Sequence, residues 1–99
     1  MDGDENKRRV PRYPVAAVVE LPEGRGYTRD ISATGALIDT DRAYLEGTML
    51  SFALVFEDVA DGPRRAQCEG EVVRVESRGD RFRLAVRMLA YRWIDEAGT

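Results

Sequence analysis

Hydrophobic and polar residues alternate along much of this chain, and the alternation predicts short β-strands rather than helices. It is clearest over Thr48–Phe56, where one face carries the apolar side chains of Leu50, Phe52, Leu54 and Phe56. Arg81–Met88 alternates in the same way. There the residues predicted to point inward are Phe82, Leu84, Val86 and Met88, and those predicted to point outward are Arg81, Arg83 and Arg87.

Turn and breaker residues divide the rest of the chain into further short strands. The predicted strands are Tyr13–Leu21, ended by a Pro22-Glu23-Gly24 turn, Tyr27–Ile31, Gly35–Ile38, and Arg65–Glu76, in which Gly70 indicates a bulge. The expected connections are Asp30–Thr34, between the second and third strands, and an acidic hairpin loop at Glu57–Gly62. Helical structure is predicted for a turn at Asp41–Glu46 and for the tail at Ala90–Ala97.

This arrangement of elements predicts an all-β domain, a small antiparallel barrel or sandwich that is closed to hide its strand edges. A length of 99 residues gives room for one domain. Residues 1–12 are expected to form a flexible arm, because they are polar and charged and Pro11 blocks a helix. Residues 13–89 are expected to form the β-domain, and residues 90–99 a short tail.

The composition narrows the chemistry open to such a domain. The chain has no histidine and a single cysteine, Cys68, which removes the commonest general base, the usual nucleophile pairs and most zinc sites. We therefore expect no enzyme activity, no metal and no cofactor. One cysteine fits a reducing compartment, and no apolar stretch approaches the ~20 residues of a membrane helix. We expect a cytoplasmic protein without a membrane span or a cleaved signal.

The net charge of the chain is −3, so any basic binding surface must be confined to one part of it. The spacing RxxxR occurs four times, at Arg8/Arg12, Arg25/Arg29, Arg74/Arg78 and Arg83/Arg87. The last three pairs fit ordinary exposed strand faces. Arg8/Arg12 differs from them because it precedes the first strand and stands upstream of the sequence Asp30-Ile31-Ser32-Ala33-Thr34-Gly35.

The Asp30–Gly35 segment has two explanations. In the first, it is an ordinary turn, in which Asp and Ser bond the neighbouring backbone and Gly supplies a positive φ at its end. In the second, it binds a ligand together with the arginine arm. Arginine meets the O6 and N7 acceptors of guanine, a carboxylate accepts from the N1–H and N2–H₂ donors, and arginine also binds phosphate bidentately. The combination suits a ligand that carries both guanine and phosphate.

In order and separation, Arg8-x-x-x-Arg12 and Asp30-x-Ser32-x-x-Gly35 resemble the paired signature of PilZ domains, the bacterial receptors for cyclic di-GMP. Cys68–Val75 is similar to the family's Gly-x-Val-x-x-Val strand and Arg83–Leu89 to its closing strand, with Ala85 where the family often has glycine. The resemblance covers about residues 7 to 89. It implies a six-stranded antiparallel β-barrel with helical material after it.

The resemblance also implies which residues bind the ligand. Arg8 and Arg12 would bind guanine edges and phosphates, and Arg9 would add phosphate charge. Asp30 would accept hydrogen bonds from guanine, with Ser32 at the polar edge of the ligand.

Two further positions and a mechanism follow from the same resemblance. Gly35 would permit a tight turn and a close approach by the ligand, and Arg74 would stack its guanidinium plane on a base. In relatives, a basic residue at the position of Lys7 accompanies binding of a stacked pair of ligand molecules, and the resemblance implies the same for this chain. Ligand binding would order the arm into a surface that an unidentified protein partner reads, and the domain would be a monomer or a ligand-dependent homodimer.

Three other functions stay open at this point. The first alternative is a PilZ-like module that binds proteins without a ligand, although both motifs are intact. The second is a barrel for single-stranded nucleic acid, with Tyr27 or Phe82 stacking on bases, although the net negative charge argues against this. The third is a hydrolase that uses Glu69 and Glu71, which share one strand face but have no evident base or metal partner.

Overall fold

The computed structural model describes residues 16–57 and 63–94 of the chain. Its six strands are β1 (Val18–Leu21), β2 (Gly24–Ser32), β3 (Gly35–Thr40), β4 (Met49–Phe56), β5 (Arg64–Arg78) and β6 (Arg81–Ile94). They close into a barrel in the order β1-β2-β3-β6-β5-β4, and every neighbouring pair is antiparallel. The predicted six-stranded antiparallel barrel is confirmed. The predicted arm at residues 1–12 and most of the predicted acidic loop lie outside the described residues.

The core consists of the inward-facing residues that the alternation picks out. The fully buried apolar side chains include Val19, Ile38, Phe52, Val72 and Leu84. On β4, Leu50, Phe52 and Leu54 are buried as predicted, and Phe56 is partly buried against the core.

The outer face of β4 is less exposed than the alternation predicts, because Ala53 and Val55 are also buried. An ion pair explains this finding. Glu20 lies on β1 and Arg65 on β5, the two strands that flank β4, and the Arg65 guanidinium donates to both Glu20 carboxylate oxygens. The pair therefore spans the outer surface of β4 and covers its small residues.

The two helical predictions are wrong wherever the structure describes them. Residues 41–46 form bends and part of a turn without a helix. Ala90–Ile94 continues β6, because it pairs residue by residue with the first part of β5, from Ala90 opposite Glu69 to Ile94 opposite Arg65. The barrel sheet thus runs to Ile94 rather than ending at residue 89, and residues 95–99 lie outside the description.

Candidate functional site

The connection between β2 and β3 is a two-residue turn, Ala33 and Thr34, shorter than the predicted Asp30–Thr34 connection. The buried Ser32 organises it. Its Oγ accepts hydrogen bonds from the backbone N–H of Thr34 at 3.2 Å and of Gly35 at 3.1 Å. The same oxygen lies 3.3 Å from the Gly35 carbonyl oxygen. Ser32 therefore stabilises the turn, as the first explanation predicts, and its hydroxyl is bonded to the backbone of Thr34 and Gly35.

Gly35 is required by strand packing. A Cβ atom built on this residue would lie 2.9 Å from the backbone oxygen of Val86 on β6. The expectation that Gly35 supplies a positive φ is wrong, because the described glycines with a positive φ are Gly47 and Gly79. The missing side chain thus allows β3 to approach β6 closely at the start of their ladder, where Gly35 is paired with Arg87.

Two β-bulges decide which residues face outward near this turn. The register of β2 against β3 shifts between Thr28 and Asp30. The extra residue, Arg29, reverses the alternation, so that Arg29 and Asp30 both lie on the outer surface while Thr28 is buried. The register of β5 against β6 shifts in the same way between Val72 and Arg74. Val73 and Arg74 are both exposed as a result.

The bulges bring Asp30 and Arg74 into one row on the outer face of the barrel. Asp30 pairs with Leu37, Leu37 with Ala85, and Ala85 with Arg74, in a line across β2, β3, β6 and β5. At a strand spacing of about 4.8 Å, the two charged residues are separated by about 14 Å of backbone. Between them lie an alanine and a leucine. The row therefore has an acidic end, a basic end and an apolar middle.

A groove of about 400 Å³ follows this row over β3, β6 and β5. Leu37 and Ala85 lie in it, Thr34 and Gly35 line one end, and Arg74 and Arg87 contribute the cations. Sequence reasoning assigned Arg74 to a ligand but left Arg87 on an ordinary exposed face and did not consider Thr34. The signal for Arg87 is its register opposite Gly35, which no spacing in the sequence reveals.

The arginines around the groove are already paired with carboxylates. The Nε atom of Arg74 lies 3.2 Å from Glu76, and Arg87 bonds to Glu71. The Arg74 side chain is 57% exposed, so its ion pair is of the weak surface kind and can be exchanged for a ligand phosphate at low cost. Arg83 differs, because it is mostly covered and donates to Asp39 at 2.9 Å. That hydrogen bond raises the pKa of Arg83 and keeps it in a structural role.

The structure describes four of the seven predicted ligand residues: Gly35 and Arg74 line the groove, Asp30 lies at the far end of the row from Arg74, and Ser32 lies in the turn and lines a different cleft. Arg8, Arg9 and Arg12 lie outside the described residues. The proposed hydrolase pair, Glu69 and Glu71, bonds to Ser51 and Arg87 respectively. Within residues 16–57 and 63–94 no cluster of three acidic, cysteine or histidine residues could hold a metal ion. No helix in the same ranges is both long and apolar enough to cross a bilayer.

A second cleft, of about 280 Å³, lies at the end of the barrel near the β2–β3 turn. We call it the mouth groove. Its lining is apolar and includes Ile31, Leu54, Phe56, Met88, Tyr91 and Trp93. Phe56 and Trp93 pack at 5.6 Å between ring centroids, and the Arg64 guanidinium lies 4.5 Å from the Trp93 ring centroid. This cleft has too few polar groups to bind a phosphate.

Comparisons with known proteins identify a family and similar solved structures. The family model for the PilZ domain matches residues 6–94. The fold is similar to that of a solved structure described as "Structure of Bacillus subtilis Inhibitor of motility (MotI/DgrA)", with a TM-score of 0.73 and 17% sequence identity. The alignment covers 86% of this chain and 44% of that one, so this chain spans less than half of that protein. A search of curated protein sequences found no match.

Proposed function

The chain belongs to the PilZ domain family, and we propose that it is a cytoplasmic receptor that binds cyclic di-GMP at the groove over β3, β6 and β5. The observation that carries the proposal is the row that joins Asp30 to Arg74. It has a carboxylate at one end, an arginine at the other and the apolar Leu37 and Ala85 between them, which supports a site where Asp30 accepts from guanine and a flat base lies on the apolar middle.

The chain enters the barrel close to this row, which supports a contribution from the N-terminal arginines. The Ala17 N–H donates to Thr28 Oγ1 at 2.8 Å, and the Thr28 N–H donates to the Ala17 carbonyl at 2.9 Å. Ala17 therefore lies beside β2, two residues short of Asp30. Arg12 precedes Ala17 by five residues, which span at most about 17 Å when extended. Arg12 is thus within reach of the row.

The proposed contacts follow the chemistry of the ligand. Asp30 accepts from the N1–H and N2–H₂ groups of a guanine, and Arg8 and Arg12 donate to guanine acceptors and phosphates. Arg9 and Arg74 add cationic groups, Arg74 by stacking or by a phosphate contact. Ser32 and Gly35 act by holding the turn and the β3–β6 approach in place, since the Ser32 hydroxyl is engaged with backbone.

Binding would convert the arm into part of a fixed surface for a protein partner. Ordering the arm costs conformational entropy, which several charge-assisted hydrogen bonds formed at once must exceed. The inferred signal is therefore a change in surface rather than a reaction, and we infer no catalytic step. Calorimetric stoichiometry distinguishes one ligand per site from the stacked pair for which Lys7 is a candidate.

The test is calorimetric titration of the full chain with cyclic di-GMP. We expect saturable binding that GTP and cyclic di-AMP do not reproduce. Arg8→Ala, Arg12→Ala and Asp30→Ala should each weaken binding by about 1–3 kcal/mol, the scale of a lost bidentate base contact. Arg25→Ala is the matched control, because Arg25 belongs to another RxxxR pair and is exposed outside the groove.

The outcomes separate this proposal from the alternatives. Absence of binding heat at tens of micromolar ligand would leave the PilZ-like interaction module as the better description. If Arg25→Ala and Arg12→Ala lowered the affinity for cyclic di-GMP equally, the loss would come from nonspecific electrostatic attraction rather than from a contact with the ligand. Loss of folding in Asp30→Ala, with ligand affinity retained by the folded fraction, would assign Asp30 a role in folding alone.

A further inference from the structure

Arg87 is a cation of the ligand groove to which the proposed contacts assign no role. Its side chain is 60% exposed, and the residue lines the groove together with Arg74. On β6, Arg87 lies two residues beyond Ala85, which is paired with Arg74 on β5. Residues in this diagonal relation on one face of a sheet are separated by about 7–8 Å. Arg87 and Arg74 are therefore neighbouring cations on the outer surface of the barrel.

The β3 strand leaves Arg87 open on one side. The partner of Arg87 on β3 is Gly35, which has no side chain, and Thr34 precedes that glycine at the end of the groove. The Met88 N–H donates to the Thr34 carbonyl at 2.9 Å, which holds the turn against β6. A ligand in the groove can therefore approach Arg87 from the β3 side without meeting a side chain at the Gly35 position.

In the ligand-free protein, Arg87 is bonded to a carboxylate. Glu71 on β5 is its direct cross-strand partner, and the Arg87 guanidinium donates to the Glu71 carboxylate. The Glu71 side chain is 28% exposed, so it is the more covered member of the pair. A phosphate offers a guanidinium the same kind of anionic acceptor, and an ion pair with an exposed member is weak enough to be exchanged. Glu71 and a ligand phosphate can therefore compete for one guanidinium.

We propose that Arg87 donates to a phosphate of the ligand and that Glu71 competes with this phosphate for Arg87. The Glu71–Arg87 ion pair thus opposes binding and helps to set the affinity of the groove. This inference rests on the proposed function, because it concerns the same groove and the same ligand. It adds a contact residue that the sequence motifs do not include, and a carboxylate that regulates that contact.

Calorimetric titration of full-chain variants with cyclic di-GMP tests the two roles. Arg87→Gln should lower the affinity by about five- to tenfold, because a charge-assisted hydrogen bond is lost while the opposing ion pair is lost as well. Glu71→Gln should raise the affinity by about two- to fivefold, the factor that corresponds to an exposed ion pair. An unchanged or lower affinity in Glu71→Gln would overturn the proposal.

Glu20→Gln is the matched control for the loss of one negative charge. Glu20 is also bonded to an arginine, Arg65, on the outer surface of the barrel, but neither residue lines the groove. The control should therefore bind cyclic di-GMP like the wild type. An equal gain of affinity in Glu20→Gln and Glu71→Gln would show an effect of net charge and would overturn the competition.

The double variant Arg87→Gln, Glu71→Gln separates competition from simple repulsion between Glu71 and the ligand. If Glu71 acts by holding Arg87, the Glu71 substitution should gain little affinity when Arg87 is already replaced. Repulsion would act whether or not Arg87 is present. An equal gain from Glu71→Gln in both backgrounds would therefore overturn the competition.

A measurement on the unmodified chain does not depend on the folding of any variant. The carboxyl ¹³C resonance of Glu71 should shift when cyclic di-GMP saturates the protein, because the carboxylate loses its guanidinium partner. The Glu20 resonance should stay in place. A Glu71 resonance that does not move at saturation would overturn the proposal.

The same titrations distinguish failure of this inference from failure of the receptor function. Absence of binding heat in both the wild type and Glu71→Gln would refute the receptor function, and the inference with it. Saturable binding by the wild type together with wild-type affinity in Arg87→Gln would refute the role of Arg87 alone and leave the receptor function standing.

Discussion

At the residue scale, Gly35 illustrates how one absent side chain holds the site. Its Cα faces the Val86 carbonyl so closely that a methyl group would sit 2.9 Å from that oxygen. Because the clashing atom belongs to the backbone, relief requires β3 and β6 to separate. Gly35→Ala should lower the free energy of unfolding by about 1–3 kcal/mol, the usual cost of overpacking, as measured by urea denaturation.

Gly24→Ala is the control for that variant. A Cβ on Gly24 would meet the Cγ atom of Arg42 at 3.0 Å, and that flexible side chain can move away. We therefore expect a smaller loss of stability at Gly24. Equal losses at the two glycines would contradict the strand-approach explanation for Gly35.

Cys68 gives a prediction about alkaline pH. Burial raises the pKa of its thiol from 9.0 to about 11. The folded chain therefore keeps the thiol proton in a range in which the unfolded chain releases it. The thiol costs no stability below pH 9.0, and the free energy of unfolding should fall by on the order of 2–3 kcal/mol as pH rises to about 11.

The pH effect is isolated by comparing the wild type with Cys68→Ala across this range. The rest of the chain is common to both proteins and cancels in the comparison, and the cavity left by the substitution adds an offset that does not vary with pH. The difference in unfolding free energy should therefore shrink as pH rises. A constant difference would mean that the thiol is not shielded from water.

At the scale of the elements, the two bulges matter more to the site than the strands themselves. If Arg29 took a regular place in the β2–β3 ladder instead of forming a bulge, Asp30 would point inward. The same holds for Arg74 if Val73 took a regular place in the β5–β6 ladder. A bulge is a departure from alternation, so a search for period two cannot place it. This is why the sequence indicated Asp30 and Arg74 by motif, but not the row that joins them.

Structural features that depend on nearby residues were predicted correctly from the sequence. Features that depend on pairing between distant segments were not. The Ser32 turn depends on hydrogen bonds within three residues, and β4 depends on its own alternation, so both can be inferred from the sequence. Ala90–Ile94 was predicted as helix but is strand, because its structure is set by pairing with Arg65–Glu69 more than 20 residues away in sequence. Arg87 was missed for the same reason, since its position opposite Gly35 is a property of the β3–β6 ladder.

The groove between the bulges predicts a variant that blocks the ligand while sparing the fold. Ala85 lies in the middle of the row, on the outer face and only partly buried. Ala85→Trp should fill the groove over β6 and reduce cyclic di-GMP affinity by more than about tenfold, which corresponds to ~1.4 kcal/mol. Thermal unfolding should change little. Ser77→Trp, exposed near the end of β5, is the control and should bind normally, so loss of binding in both variants would argue against a site at this groove.

At the scale of the whole molecule, many arginines in the described part of the closed barrel are paired with carboxylates. The net charge is −3, and around the groove Arg74, Arg83 and Arg87 each contact a carboxylate. Such a surface suits a small ligand that is recognised by a few directed contacts better than a long polyanion that is held by its field.

This charge distribution predicts how binding should respond to salt. Cyclic di-GMP carries two phosphates, so the logarithm of its affinity should fall with the logarithm of salt concentration with a slope no steeper than about −2. A single strand that covered several phosphates would give a slope of about −0.7 for each phosphate neutralised, and would continue to weaken with little regard to base. Calorimetric titrations at several salt concentrations, repeated with cyclic di-AMP and an oligonucleotide, separate the two cases. A steep slope shared by all three ligands would favour the nucleic-acid barrel, whereas a shallow slope with rejection of cyclic di-AMP at every salt concentration requires recognition of guanine.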